Sequence, residues 1–75
     1  MAKSRNKKFI ALVTERLKEV RELKKLTQEV VVYDTGINIG RIESGQRDIS
    51  LTTIKTLCDY YEIAMRDFFK KGFDA

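Results

Sequence analysis

An all-α fold of five helices is what this sequence predicts, and three observations predict it. Apolar residues recur at helical spacing, first in Ile10, Val13, Leu17 and Val20 and again in Leu51, Ile54, Leu57, Cys58 and Tyr61. Thr27 and Ser50, whose hydroxyls suit a helix N-cap, stand where the second and fourth of these segments begin. Strand signals are nearly absent. The one β-branched run, Val30, Val31 and Val32, lies between segments of helical spacing, and the chain contains no proline.

The first helix is set by the stripe from Ile10 to Val20, with Glu15, Arg16, Lys18, Glu19 and Glu22 on the other positions. Glu15 and Lys18 are opposite charges at i,i+3, a modest surface contribution. This helix should end near Lys24 or Lys25. Thr27 opens a short second helix that takes in the valine run. Ser50 opens the fourth, whose apolar stripe must face the others. The last element carries Met65, Phe68, Phe69 and Phe73, with Gly72 as a stop.

A chain of 75 residues accommodates one domain, and a domain of this size buries roughly 60% of the surface its unfolded chain exposes. We take residues 1–8 as a basic arm and residues 9–75 as the folded domain. The sequence holds no histidine and a single cysteine, Cys58. The commonest general base and metal ligand is therefore missing, and one thiol closes no intramolecular disulfide. Buried packing is the ordinary fate of such a cysteine. No nucleophile stands beside a base, so the chain is expected not to be an enzyme and to use no cofactor, metal or small-molecule substrate. The apolar run at residues 9–13 is too short for a leader core or a membrane span. With one unpaired thiol, a reducing cytoplasm is the expected location.

Net charge is +4, and Lys3, Arg5, Lys7 and Lys8 account for all of it, since the other eleven basic residues are matched by eleven acidic ones. A basic arm is either a solvated tail or, beside a DNA-binding fold, a contact to phosphates or the minor groove.

The segments RLKEVRELKKLTQE, TGI, RIESGQRDISLTTIKTLCDYYEI and RDFF, in that order, resemble the Cro/phage-repressor (XRE-type) helix-turn-helix family of transcriptional regulators, and they cover most of the chain. The resemblance implies a lambda-repressor-like DNA-binding domain, and from the small size and lack of sensor sequence a regulator with no attached effector domain is expected. Gln28 falls in the first turn of the second helix, where free N–H groups and the positive dipole end favour a phosphate. Its bland role is a solvent-facing cap. Ile39 and Ile42, three apart, pin one face of the recognition helix and leave Asn38 and Arg41 to the major groove, where Asn reads adenine and Arg reads guanine. Arg21 and Glu43 match positions that pair between the first and third helices, a structural role. Gly45 is read as a left-handed helix terminator, and Gln46 and Arg47 as a loop approaching the DNA backbone.

Three departures from the family stand out. The stretch between Gly36 and Arg41 is shorter than the family pattern, which leaves two readings. Gly36 is the turn and a recognition helix little more than a turn and a half long starts near Asn38. Alternatively, Asp34 is the N-cap, and Thr35, Gly36 and Ile37 form the first turn of that helix. The second preserves helix length and is preferred; it turns Thr35 and Ile37 to the groove, with Ile37 able to meet a thymine methyl. Lys25 stands where the family often has glycine, so a left-handed residue there costs roughly 1 to 2 kcal/mol unless the helix ends differently. Residues 27–50 hold Arg41 and Arg47 against Glu29, Asp34, Glu43 and Asp48, so tight binding would lean on the arm, on Lys18, Lys24 or Lys25, and on dimerisation.

The expected function is sequence-specific binding of double-stranded DNA by a homodimer, each copy placing residues 34–44 in one major groove of a two-fold operator. Tyr60, Tyr61, Phe68, Phe69 and Phe73 are the expected dimer contact, some of them core. The alternative keeps the fold but makes protein binding the function, as an antitoxin or adaptor covered through its exposed aromatics.

Overall fold

Asn6 starts the first helix: its side-chain oxygen accepts from the Phe9 N–H at 3.0 Å and closes the first turn. The computed structural model describes residues 6–70, 72 and 73, and among them every regular element is helical. These are α1 (Lys7–Leu23), α2 (Gln28–Thr35), α3 (Ile39–Glu43), α4 (Leu51–Tyr61) and α5 (Met65–Phe68). Lys7 and Lys8, grouped above with the arm, belong to the first turn of α1. Lys3 and Arg5 lie outside the described residues.

α1 ends in a Schellman turn. The Leu26 N–H reaches back to the Arg21 carbonyl and the Lys25 N–H to that of Glu22, which requires Lys25 in the left-handed region at φ 59°. Lysine thus takes the conformation that glycine favours. Thr27 then caps α2, its hydroxyl accepting from the Val30 N–H at 3.2 Å. The valine run is helical, with only Val31 facing inward.

The join between α2 and α3 corrects the preferred sequence expectation. Asp34 caps nothing; α2 runs on through Thr35 and stops at Gly36, which is left-handed at φ 75°. Thr35 donates its hydroxyl to the Val31 carbonyl at 2.7 Å and accepts from the Ile37 N–H at 3.1 Å, sealing the end of α2. The N-cap of α3 is Asn38, whose side chain accepts from the Arg41 N–H at 3.1 Å. Thr35, Gly36 and Ile37 therefore form the exit from α2 and the turn. Local chemistry overrode helix length: a glycine at the left-handed position followed two residues later by a capping asparagine ends one helix and starts the next.

Ser50 caps α4 by accepting from the Thr53 N–H at 3.0 Å. The far end of α4 repeats the Schellman bonding of α1, with Glu62 left-handed at φ 59° and the Ile63 N–H reaching the Cys58 carbonyl. One core joins the five helices: Val13, Leu17 and Val20 of α1, Val31 of α2, Ile39 of α3, Ile54, Leu57, Cys58 and Tyr61 of α4, and Phe68 of α5.

The C-terminal aromatics close over this core. Tyr61 and Phe68 are interior, so neither is available as a dimer contact. Phe69 and Phe73 are half-buried against the same cluster, with rings 5.0 Å apart, and Phe73 folds back onto Phe9 of α1 at 5.9 Å. Arg16 holds this end in place, its Nε donating to the Phe68 carbonyl at 2.8 Å and Nη2 to that of Asp67 at 2.9 Å. Cations at the end of a helix satisfy carbonyls that lack partners. Nothing in the spacing of Arg16 marks it for this role.

Candidate functional site

α3 is five residues long and would be marginal alone. Two devices fix it. Ile39 is fully buried and Ile42 packs partly buried against the core, which pins one face. Behind its C-terminal end, Arg21 of α1 forms a two-pronged pair with Glu43, Nε to Oε2 at 2.8 Å and Nη2 to Oε1 at 3.0 Å. The remaining Arg21 nitrogen donates to the Leu26 carbonyl at 2.8 Å. Both side chains are nearly buried, 9% and 4% exposed. The Glu43 hydrogen bond raises the already high pKa of the Arg21 guanidinium.

Gln28 completes this network. Its Nε2 donates to Glu43 Oε1 at 3.0 Å, so the amide is turned to α3 while the residue stays exposed at the start of α2. A Cβ built on Gly40 would stand 3.4 Å from the Gln28 oxygen, which puts α2 and α3 in close approach there. The first-turn N–H groups of α2 have no partner within the helix.

With Ile39 and Ile42 turned inward, Asn38 and Arg41 are the exposed side chains that α3 and its cap present. The Asn38 oxygen is engaged in the cap, so its NH2 group remains as donor. Arg41 lies beside Arg47 in an open cleft that Gln46 and Asp48 also line. That cleft continues past Ile49 to Ser50 and Thr53 at the start of α4. Gly45, left-handed at φ 76°, turns the chain from α3 into this loop. On the other side of α3, a second cleft is lined by Gln28, Glu29, Val32, Tyr33, Asn38 and Gly40.

Gln28, Asn38, Arg41, Gln46 and Arg47 thus line the clefts on either side of α3. Ile37 does not join them; it is half-buried and packs on the core. Thr35 is half-buried with its hydroxyl bonded to backbone. Tyr60 is not at a free aromatic face either. Its hydroxyl donates to Asp34 Oδ2 at 2.5 Å, tying α4 to the end of α2, and that bond raises the pKa of the phenol. Sequence spacing missed three features: the Tyr60–Asp34 tie, the approach at Gly40, and the exposure of Tyr33, which an aromatic in a short helix does not suggest.

Among the described residues no group of His, Cys, Asp or Glu is arranged to hold a metal ion, and no helix is long and apolar enough to cross a membrane. No family model matches this sequence, no curated protein matches it, and no solved structure matches its fold.

Proposed function

We propose that this protein is a DNA-binding transcriptional regulator of the XRE type, in which α2, the turn at Gly36 and α3 act as a helix-turn-helix in a lambda-repressor-like domain. One observation carries the reading: α3 is locked from behind by Ile39 and the Arg21–Glu43 pair, while Asn38 and Arg41 face outward with Arg47 alongside. A short helix anchored at the back and polar at the front is the form that fits a major groove about 12 Å wide. Arg41 is the candidate reader of guanine and Asn38 a donor to a base acceptor. Gln46, Arg47 and the first turn of α2 with Gln28 would hold phosphates, and the basic N-terminal segment would add attraction that carries no sequence information.

Two reading side chains specify little. A homodimer on a two-fold operator doubles them, and the exposed edges of Phe69 and Phe73 are the surface we assign to self-contact. In this reading the protein acts in the cytoplasm, carries out no catalysis and needs no cofactor. The adaptor alternative would use the same C-terminal aromatics; Phe68 is interior, and the half-buried Phe69 and Phe73 do not distinguish a second copy from another protein.

Selection of bound sites from random duplex DNA tests the proposal. We expect a palindrome whose affinity falls steeply with salt. Arg41→Ala should relax one position in each half-site, at about 1 to 3 kcal/mol per contact. Asn38→Asp keeps an N-cap of similar quality, so it should melt like the parent and yet lose DNA through repulsion. A protein that shifts no duplex even at low salt would remove the proposal.

A further inference from the structure

The sequence assigns the apolar contact of the reading surface to Ile37, but Ile37 packs on the core. The exposed apolar group beside α3 is Tyr33, 89% exposed, with Val32 at 39% in the same cleft. That cleft contains no cation, and Glu29 on its wall repels phosphate. Asp34, the neighbouring carboxylate, is held by the Tyr60 hydroxyl. The surface therefore suits the edge of a base better than the backbone. α3 alone reaches little of such an edge: five residues rise about 7.5 Å, and Gly40, midway along it, has no side chain.

From this juxtaposition we infer that Tyr33, backed by Val32, is a second base-reading element that contacts the C5-methyl group of a thymine next to the bases read from α3. This rests on the DNA-binding reading above and adds a specificity residue on α2. Apolar and aromatic side chains distinguish thymine by that methyl in the major groove.

The test uses the full chain and its Tyr33→Ala, Tyr33→Phe and Arg41→Ala variants, each carried through selection from random duplexes. Tyr33 is nearly fully exposed, so all Tyr33 variants should melt with the parent. The parent and Tyr33→Phe should enrich a thymine at one position of each half-site, and Tyr33→Ala should lose it. Replacing that thymine by deoxyuridine should weaken the parent about fourfold, the size of one buried methyl group, and leave Tyr33→Ala unchanged. If Tyr33→Ala recovers the parental site while Arg41→Ala does not, DNA binding stands and this assignment falls. An equal deoxyuridine effect in parent and Tyr33→Ala overturns it too. If no protein of the set enriches any sequence, the DNA-binding reading fails and takes this with it.

Discussion

Glu43 receives Arg21 through both of its oxygens and Gln28 through one of them, so a single carboxylate ties α1, α2 and α3 together. Such a pair, nearly removed from water, adds modest net stability but is costly to break from one side. Arg21→Met strands Glu43 with Gln28 alone and should cost about 3 kcal/mol. For a domain of this length that lowers the melting temperature by roughly 10 °C or more. The double substitution Arg21→Met/Glu43→Leu leaves no buried charge and should recover much of the loss. Urea unfolding of the three proteins checks this. A double variant no more stable than Arg21→Met would mean that packing at these positions, and not the stranded charge, sets the cost.

At the level of elements, the described helices begin with side-chain caps in four of five cases, Asn6, Thr27, Asn38 and Ser50, and Ala64 before α5 makes none. Their ends are less economical. Lys25 and Glu62 occupy the left-handed region that disfavours a Cβ by about 1 to 2 kcal/mol. Lys25→Gly and Glu62→Gly should each raise stability by about 0.5 to 1 kcal/mol, after the greater unfolded-state entropy of glycine is counted. Gly36→Ala should do the opposite by a similar amount. Its Cβ would meet nothing within 4 Å, so backbone strain alone acts. Thermal melting decides. A destabilised Lys25→Gly would show that its side chain makes a contact worth more than the strain.

For the whole molecule, a core built on so few residues makes its two titratable members visible. Burial pushes the Tyr61 phenol up to about 12 and also raises the Cys58 thiol. Both folded values lie above the unfolded ones, so the neutral forms stabilise the fold fully below about pH 9. As pH rises, the unfolded chain loses these protons first, and stability falls from about pH 9 toward 12. The urea midpoint should stay level from pH 7 to 8.5 and then decline, and Tyr61→Phe should flatten the upper part of that decline. An unchanged slope in Tyr61→Phe would assign the alkaline limb to other groups.

Much of the fold was legible along the chain. Periodicity placed α1 and α4, and the hydroxyls of Thr27 and Ser50 marked where α2 and α4 start, because these features depend on neighbours within a turn. The left-handed cost at Lys25 was visible through the resemblance, because lysine stands where that family often has glycine. The choice between two starts for α3 was left open, since Asp34 and Asn38 are both good caps; left-handed Gly36 ends α2 after Asp34, and the later start goes with a buried Ile39 and with Asp34 accepting from Tyr60. Which aromatics lie inside was equally hidden. Tyr61 and Phe68 match Tyr33 in apolar character, yet two are interior and one stands in water, because α2 turns Val31 to the core and Tyr33 lies on its exposed side. Short-range bonding is written in residue order. Inside and outside depend on contacts between residues far apart in the chain, which exist only once the helices have packed.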